Sequence, residues 1–529
     1  MEALRSPTLL RARECAALTI PSLMPPQGHS TATKLPTPFQ GIGARGTNNL
    51  ASKLLLALFP PNSPFFRMEV DDFTLEKITQ QGGMRAEVEK ALARVERAVM
   101  THIEQEAIRV SAFEALKQLI VAGNCLCYLP PEGGMKVFRL DRYVVSRDPM
   151  GNPLEIIVRE DVSPEVLSKI FEKLSISDTG GATSADGDAP DGSTDRTLAL
   201  YTHVYFEDGK WNIYQEVNGE RIEGTQGTYP KDKSPWLPLR WTTIDSEDYG
   251  RGYVEEYLGD LKSLEALTQA IVEGSAAAAK VVFLVNPNGT TNMKVLADAP
   301  NGAVRSGNAQ DVTVLQMAKQ ADFQFATKVL EMIQERMSFA FMLNSSVQRA
   351  AERVTAEEIR FMAGELEDAL GGIYSVLSQD FQLPLVKRIL LVLTKQQKLP
   401  PLPKEVQPTI TTGLEALGRG HDLNKLQTFM QAIQILGPQV IAQYLNVSDF
   451  FDRVGTSLGI DTDGLLKSEQ EVQQAQQQAQ QQQSMQGLAE KLGPSGIKAI
   501  SDHLMAGRQG TQNGPSPTPQ GGPQQPPGQ

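Results

Sequence analysis

Apolar residues recur every three or four positions through several long segments, which is the spacing of one buried helix face. Leu50, Leu54 and Leu58 predict a helix over about 44–59, ended by the prolines that follow it, and an earlier helix is expected ahead of it. A longer stripe predicts one continuous helix over 84–123. Its apolar positions are Val88, Leu92, Val95, Val99, Ile103, Ile108, Phe113, Leu116 and Leu119.

The pattern changes to strands in residues 125–244, where Val, Ile, Tyr, Phe and Trp are concentrated in short runs. Asp208-Gly209 and Asn218-Gly219 each stand between two such runs, which is a strong signal for two-residue hairpins. We therefore predict an antiparallel sheet region. It is interrupted at 175–197 by a segment of Gly, Ser, Thr and five Asp, which we expect to be a mobile surface loop.

Helical spacing returns on both sides of a short insert. Long helices are predicted over 253–280 and 319–343. The stripe of the second helix consists of Ala326, Leu330, Ile333, Met337 and Phe341. Within the insert, short strands are predicted at Val281–Val285, Lys294–Leu296 and Asp311–Leu315. The layout is a long helix, a small β-containing excursion and a second long helix.

A further helix is predicted to begin at Thr355, which forms a capping box with Glu358, and to run to about Leu393. Residues 470–486 hold 11 Gln among 17 positions, a composition that fits either an extended helix or disorder. Beyond residue 506 the chain has no large apolar side chain, and we expect a disordered tail. The fold class is α+β and mainly helical.

Composition narrows the class of protein. Apolar residues make up 40% and charged residues 21% of the 529 positions, which is enough to build a sizeable core. The net charge of −12 argues against a general coat for DNA or RNA. Three cysteines exclude a disulfide framework, no apolar run is long enough for a membrane helix, and the N-terminus shows no secretion signal. We expect a large acidic protein that is soluble, intracellular or part of a virion.

Motifs for catalysis are weak or absent. Gly41, Gly43 and Gly46 spell G-x-G-x-x-G ahead of a helix, but a proline-broken segment precedes them where a dinucleotide fold needs a buried strand. Helix entry or close packing is the better interpretation. No P-loop motif and no nucleophile elbow occurs in the sequence. Any ATP hydrolysis in a process that uses this chain therefore belongs to a partner.

The cysteine and aspartate pairs in the sequence do not form a recognisable metal-binding motif. Cys125 and Cys127 are too close together and lack a second ligand pair, so buried thiols are expected. Asp71-Asp72 and the Asp461–Asp463 pair are expected to be helix caps or turn residues. We predict no catalytic residue, no metal and no cofactor. The chain is interpreted as an architectural protein, not an enzyme.

Several strings of residues identify a family resemblance. They are 15–26 (CAALTIPSLMPP), 33–36 (TKLP), 43–46 (GARG), 48–62 (NNLASKLLLALFPPN), 64–67 (PFFR), 353–360 (RVTAEEIR) and 370–379 (LGGIYSVLSQ). With these strings the chain resembles the head-to-tail connector, or portal, proteins of T7-like short-tailed bacteriophages. The resemblance covers most of residues 10–400. It fades beyond that point, and the segment 175–197 and the Gln-rich tail look peculiar to this chain.

The resemblance implies a portal fold assembled as a ring, typically of twelve subunits. Its parts would be a wing (1–252, with the sheet region 125–244), stem helices (253–280 and 319–343), a clip (281–318), a channel or valve loop (344–355), a long helix back into the wing (356–400), a crown (401–470), and a Gln-rich segment with a tail (471–529).

The resemblance also implies a function and partners. The ring would stand at one capsid vertex and conduct double-stranded DNA during packaging and ejection. The implied partners are copies of this chain, the major capsid protein, a scaffold, the terminase large subunit, a tail adaptor and inner core proteins. The implied location is the virion, with assembly in the host cytoplasm and no membrane contact.

Residues in these parts are candidates for lining the DNA channel, for packing the stems together and for docking partners. The stem segment 253–280 holds five acidic residues against two lysines, and an anionic lining would repel phosphates and keep the duplex centred. The candidates for the DNA channel are Glu255, Glu256, Asp260, Arg349 and Arg353; those for close packing of stems are Ala276, Ala277 and Ala278; those for docking at the clip are Asn288, Lys294 and Arg305.

Two other classes of protein remain open at this stage. The first is another virion structural or assembly protein, such as an inner core protein or a scaffold; a scaffold would be mostly helical and would lack the strand-rich region 125–244. The second is an enzyme of unfamiliar type, which the missing motifs disfavour.

Overall fold

The computed structural model describes most of the N-terminal four fifths of the chain. The described residues are 1–30, 32–61, 64–70, 84–170, 197–278, 282–315, 320–343, 370, 372–403, 406–410, 429, 431, 450 and 454. The chain divides into two compact units, Met1–His421 and Asp422–Gln529. All elements named below belong to the first unit.

Helices and strands alternate in blocks along this unit. The helices are α1 Glu2–Ala17, α2 Ile42–Leu58, α3 Met84–Gln105, α4 Ile108–Ala122, α5 Pro164–Ile170, α6 Tyr253–Glu256, α7 Leu258–Ala278, α8 Met293–Ala297, α9 Gln320–Ala340 and α10 Leu383–Lys395. The strands are β1 Phe66–Val70, β2 Asn124–Tyr128, β3 Lys136–Phe138, β4 Tyr143–Arg147, β5 Pro153–Val162, β6 Leu198–Glu207, β7 Lys210–Val217, β8 Glu220–Arg221, β9 Gly227–Pro230, β10 Trp236–Arg240, β11 Val282–Val285, β12 Val312–Leu315 and β13 Val406–Ile410.

The hydrophobic core forms where α2 packs against α4. The predicted stripe of Leu50, Leu54 and Leu58 is fully buried, and so are Leu116 and Leu119 on α4. Each fully buried leucine stabilises the fold by roughly 1.5–3 kcal/mol relative to an exposed one. The helix predicted over 44–59 is thus confirmed, with bounds two residues earlier at its start.

The single helix predicted over 84–123 is wrong, because the chain forms two helices there. α3 ends at Gln105, and Ala107 adopts a left-handed backbone conformation with φ of 49° before α4 begins. The physical reason lies in the stripe itself. Ile103 and Ile108 are five residues apart, a spacing that would turn them to different faces of one straight helix. With the break, both are buried, each at 1% exposure.

The strand-rich region forms two antiparallel sheets and not one. The larger has the order β4-β5-β6-β7-β8, with β9 also paired to β7, and the smaller has the order β10-β2-β3. Both predicted hairpins are confirmed: Asp208 and Gly209 have φ of 51° and 75°, and they connect Glu207 to its partner Lys210. Strands β3 and β4 follow each other closely in the sequence but belong to different sheets, because a 3₁₀ turn at Leu140–Arg142 separates them.

The insert between the long helices contains a correction. Strands β11 and β12 are present as predicted and pair antiparallel, but residues 294–296 lie in helix α8 and not in a strand. The side chain of Asn292 caps this helix by accepting hydrogen bonds from the backbone N–H groups of Lys294 and Val295, at 3.0 and 3.4 Å. An N-cap of this kind decides in favour of helix over a short apolar run.

The C-terminal part of the first unit returns to the core. A helical stretch at 372–377 passes through a π-helical turn, Ser378–Gln382, into α10, which ends close to the predicted Leu393. Strand β13 then pairs antiparallel with β1, although almost 340 residues separate them. The capping box at Thr355, the segment 175–196, Asp71-Asp72, and Asp461 with Asp463 lie outside the described residues.

Candidate functional site: a two-helix arm and its insert

Helices α7 and α9 pack against each other and together carry the insert. Leu261 and Leu264 on α7 are fully buried, and so is Met337 on α9. Near the far end, the ring of Phe323 lies on Gly274, where a Cβ atom would approach the ring to 2.7 Å. Both predicted helices are therefore present, but the first, predicted as one helix over 253–280, is divided at Tyr257 into α6 and α7. We call the two helices with the insert the arm.

The base of the arm is fixed by an aromatic cluster. Tyr253, Tyr257 and Phe341 lie with ring centroids 5.1–6.2 Å apart, and the hydroxyl of Tyr253 donates a hydrogen bond to the carbonyl of Ala340 at 2.8 Å. Gly46 on α2 meets the ring of Phe341, and a Cβ atom there would come within 2.5 Å of it. The arm is thus joined to the core by contacts that leave little room for movement.

Polar side chains from α2 hold the end of α9. Asn49 donates hydrogen bonds to the carbonyls of Phe341 and Met342 at 3.0 and 3.1 Å, and the buried Lys53 donates to Met342 at 3.1 Å. A cation at a helix C-terminus is stabilised by the helix dipole as well as by these bonds. Met342 itself adopts a left-handed conformation with φ of 53°. The segment predicted as a channel loop begins two residues later.

The insert is organised around one buried carboxylate. Asp311 accepts hydrogen bonds from the backbone N–H of Thr290 at 2.8 Å and from the N–H and hydroxyl of Thr291, each at 3.1 Å. Its partial removal from water acts to raise its pKa, but the hydrogen bonds from Thr291 and Thr290 outweigh that and keep the pKa below its usual value. Gly289 lies so close to this carboxylate that a side chain would collide with it.

The three residues predicted to dock partners are all exposed on the insert. Asn288 lies in the turn after β11, Lys294 lies on α8, and Arg305 lies in the loop that leads to β12. The same insert carries large apolar side chains that are exposed, including Phe283 at 61% and Val304 at 97%. Exposed apolar surface of this extent is typical of an interaction face.

Two of the three acidic residues predicted for the channel, Glu255 and Asp260, form ion pairs inside the subunit. Glu255 forms ion pairs with Arg251 at 2.7 Å and Arg11 at 3.3 Å. Asp260 pairs with Arg336 on α9. The exposed Glu256 has a raised pKa because its carboxylate is partly removed from water.

A fourth acid of the same segment, Glu265, accepts hydrogen bonds from the backbone N–H groups of Phe39 and Gln40, at 2.8 and 3.1 Å. It therefore ties the N-terminal segment to α7, a role that the sequence pattern did not reveal. The ion pairs of Glu255 on α6 and Asp260 on α7 reduce the net negative charge that these two helices present to solvent.

The remaining candidates are only partly described. Ala276 and Ala277 are exposed on the last turns of α7, and Ala278 is its final residue. Arg349 and Arg353 lie outside the described residues. The structure therefore gathers the acidic, small and docking candidates on one arm, and it leaves the arginines undescribed.

The weak motifs have structural explanations. Gly43 and Gly46 lie in α2 at points where the carbonyl of Leu18 and the ring of Phe341 approach the helix backbone, so close packing explains both glycines. Cys125 and Cys127 are fully buried in β2, as predicted. Among the described residues no group of three or more potential metal ligands occurs. Within the same ranges, no helix has the length and apolarity that crossing a bilayer requires.

One sizeable cavity, of about 500 Å³, lies beside Arg147 and Arg240 at the edge of the large sheet. The guanidinium of Arg147 donates to the carbonyls of Asp248, Gly151 and Pro238 at 2.8–2.9 Å, so it is occupied in holding loops together. Burial and the neighbouring Arg240 lower the pKa of Arg147 to about 10. Arg147 therefore fixes the segments that line this cavity.

Comparison with known proteins gives a consistent result. The family described as bacteriophage head to tail connecting protein matches residues 1–466. The portal protein of Escherichia phage T7 is 46% identical over 478 residues, which cover 89% of this chain and 87% of the relative. The portal protein of Enterobacteria phage T3 is 44% identical over 511 residues, which cover 94% and 92%.

Similarity extends to more distant phages and to solved particles. The portal protein of Enterobacteria phage SP6 is 34% identical over 474 residues, which cover 89% of each chain. A chain in the virion of a native gene transfer agent particle matches with 12% identity and a TM-score of 0.37, covering 79% of this chain and 90% of that one. At this score the structural likeness adds nothing to the sequence matches.

Proposed function

The chain belongs to the family of bacteriophage head to tail connecting proteins, and from that membership we propose that about twelve copies form a closed ring around a channel for double-stranded DNA. Its role is that of a portal protein, at the connection of head and tail in the virion. The observation that carries the proposal is the family match across residues 1–466, combined with identities of 44–46% to two portal proteins.

We assign the parts of the subunit from this role. Residues 1–252 form the wing, α7 and α9 form the stem, 281–318 form the clip, and 401–470 form the crown. The exposed apolar surface of the insert supports docking there, first of the terminase large subunit during packaging and then of a tail adaptor. Asn288, Lys294 and Arg305 are the polar residues of that surface.

Further partners follow from the position at the vertex. We propose contacts of the ring with the major capsid protein, with a scaffold during assembly in the host cytoplasm, and with inner core proteins. The chain acts structurally and needs no cofactor. The energy of packaging comes from a partner, because the sequence has no P-loop.

The channel holds DNA by repulsion along the stem and by contact at its loop. Glu256 and Glu273 are the exposed acids of α6 and α7, and their carboxylates repel the phosphates of the DNA weakly because solvent and salt screen exposed charges. Arg349 and Arg353 in the loop 344–355 contact phosphate and keep packaged DNA from leaking. Glu352 and Glu357 are close in sequence and are the competing partners of these arginines.

The loop is tested with the double variant Arg349→Ala/Arg353→Ala. We expect particles that fill with DNA but lose part of it on storage, measured as DNA per particle after purification. The matched control is Lys34→Ala/Lys210→Ala, which removes the same charge from exposed positions of the wing that have no proposed docking role. Unchanged DNA retention in the loop variant would remove the loop from the mechanism.

The ring itself is tested by native mass measurement and electron microscopy of the purified chain. The expected result is a closed assembly of about a dozen copies with a central opening. Monomers or dimers alone, or assemblies without an opening, would contradict the proposed function and favour another virion or scaffold protein.

A further inference from the structure

A second apolar line runs along α9, on a side that the subunit leaves uncovered. Phe325, Met332 and Phe339 are 74%, 64% and 80% exposed. They follow one another at intervals of seven residues, which is two turns, so they form one row along the helix. The buried Ile333 and Met337 belong to the other side, toward α7. We call the exposed row the ridge.

The exposed side of α7 has the opposite character. Gly259, Ser263, Ala266 and Ala270 are all exposed and follow the alternating spacing of four, three and four residues that marks one helix face. The hydroxyl of Ser263 donates to the carbonyl of Gly259 at 2.9 Å, so its polar group is satisfied within the helix. We call this the small-residue face.

Gly259, the second residue of α7, leaves the helix backbone open on this face. Among the described residues, a Cβ atom at this position would meet nothing within 4 Å, whereas one at Gly274 would meet Phe323 at 2.7 Å. The missing side chain leaves room for a side chain of a second copy to approach the backbone closely.

The register between the two helices is known from contacts inside the subunit. Arg336 pairs with Asp260, and Phe323 lies on Gly274. In both pairs the α7 number and the α9 number add up to nearly the same value. Any α7 residue and α9 residue whose numbers add up to about this value therefore lie at the same height along the arm. A rotation around a ring moves no subunit along the axis. The α9 of one subunit therefore meets the α7 of its neighbour at nearly this same level.

At this level the ridge and the small-residue face are complementary. Met332 falls between Ser263 and Ala266, and Phe339 falls beside Gly259. Large side chains that enter spaces between small ones are the arrangement by which two helices pack closely. The match holds over two successive levels.

We propose that the ridge of one subunit packs onto the small-residue face of a second copy, and that this contact is the stem interface of the ring. The inference rests on the proposed function for the existence of a ring. It commits to an interface with two different sides, because the ridge and the face belong to different helices. Such an interface propagates around a ring in one direction.

The test is disulfide cross-linking of the full chain with Met332→Cys/Ala266→Cys. Both positions are exposed, and the native cysteines 15, 125 and 127 are buried and do not compete. Mild oxidation should convert the monomer band of a denaturing gel into a ladder of covalent multimers. The single variants Met332→Cys and Ala266→Cys should run as monomers on this gel, because neither position lies close to the same position of a neighbouring subunit.

The matched control is Met332→Cys/Ala277→Cys. Ala277 is also exposed on α7, but it lies eleven residues beyond Ala266, about 16 Å along the helix, which is too far for a disulfide. A ladder in the first variant and not in the control supports the inference. Rings of normal mass without a ladder, or with equal ladders in both variants, would overturn it and leave the ring intact. Failure of the unaltered chain to form rings would overturn the proposed function, and the inference with it.

Discussion

The core around α2 and α4 and the arm of α7 and α9 are built from similar apolar helices, yet they bury them differently. In the core, Leu50, Leu54 and Leu116 are fully buried by contacts within the subunit. In the arm, Phe325 and Phe339 stay more than 70% exposed. Covering an apolar helix face removes it from water and stabilises it. The comparison therefore shows that the core is covered within one chain, whereas the arm leaves an apolar row exposed, onto which we propose that a second copy packs.

The largest difference is expected from removing a buried leucine. Leu54→Ala should lower the free energy of unfolding by about 3 kcal/mol, because it leaves a cavity in a core that cannot fully collapse. Leu4→Ala, at a position that is 69% exposed, should change it by less than about 0.5 kcal/mol. Denaturant unfolding measures both. Equal losses would mean that the core is not the source of stability.

Adding volume gives the second contrast. Ala115→Leu, at a fully buried position of α4, should lower stability by roughly 1–3 kcal/mol through overpacking. Ala277→Leu, exposed at the end of the arm, should leave unfolding of the subunit within about 0.5 kcal/mol and impair ring closure instead. Unfolding curves and native mass separate the two effects. A ring of normal size and stability with Ala277→Leu would contradict close packing of stems.

Two glycines of the G-x-G-x-x-G motif test the contact between α2 of the core and Phe341 at the base of the arm. Gly46→Ser places a Cβ atom against the ring of Phe341 and should cost roughly 1–3 kcal/mol. Gly41→Ser meets no atom within 4 Å at the N-cap of α2, where serine is favoured, and should be neutral or slightly stabilising. Thermal unfolding compares the pair. Similar midpoints would show that the arm can shift on α2 at little cost.

The smallest effect is expected within the arm, at the carboxylate of the insert. Because hydrogen bonds hold the pKa of Asp311 below its usual value of 3.8, its ionised form stabilises the insert above that pH. This stabilisation is lost as the pH falls below 3.8 and through the lower pKa of the folded state. The protection of the N–H groups of Thr290 and Thr291, measured as the hydrogen-exchange rate relative to the intrinsic rate at the same pH, should therefore fall in acid.

The same amides give a test at neutral pH. Asp311→Asn should speed their exchange, because the neutral amide is a weaker acceptor than the carboxylate. Asp298→Asn, exposed elsewhere on the insert, is the matched control and should have no effect. Unchanged exchange with Asp311→Asn would show that the loop is held by its backbone alone.

Local patterns predicted those elements whose cause is local. The leucine stripe of α2 and the turn at Asp208-Gly209 depend on neighbours within a few residues, and both were confirmed. The break at Ala107 and the helix at 293–297 were missed. The first depends on the core that both flanking helices must reach, and the second on one capping side chain that outweighs a short apolar run.

The candidate site shows the same division. Sequence spacing placed the arm and its insert, and it selected Glu255 and Asp260 by their charge. It could not indicate that Arg11, Arg251 and Arg336 would neutralise them, because those contacts join distant segments or depend on helix orientation. Charge in a sequence is a sum, whereas charge at a surface depends on which groups fold together.

The chain by itself determined its helical periods, its hairpin turns, its lack of nucleotide-hydrolysis motifs and its family, since each of these is written in neighbouring residues. Only the tertiary structure decided which apolar rows are covered. Met337 and Met332 lie five residues apart on one helix, and the first is fully buried while the second is 64% exposed. The reason is physical: periodicity defines the faces of a helix, but burial depends on what the rest of the chain brings against each face.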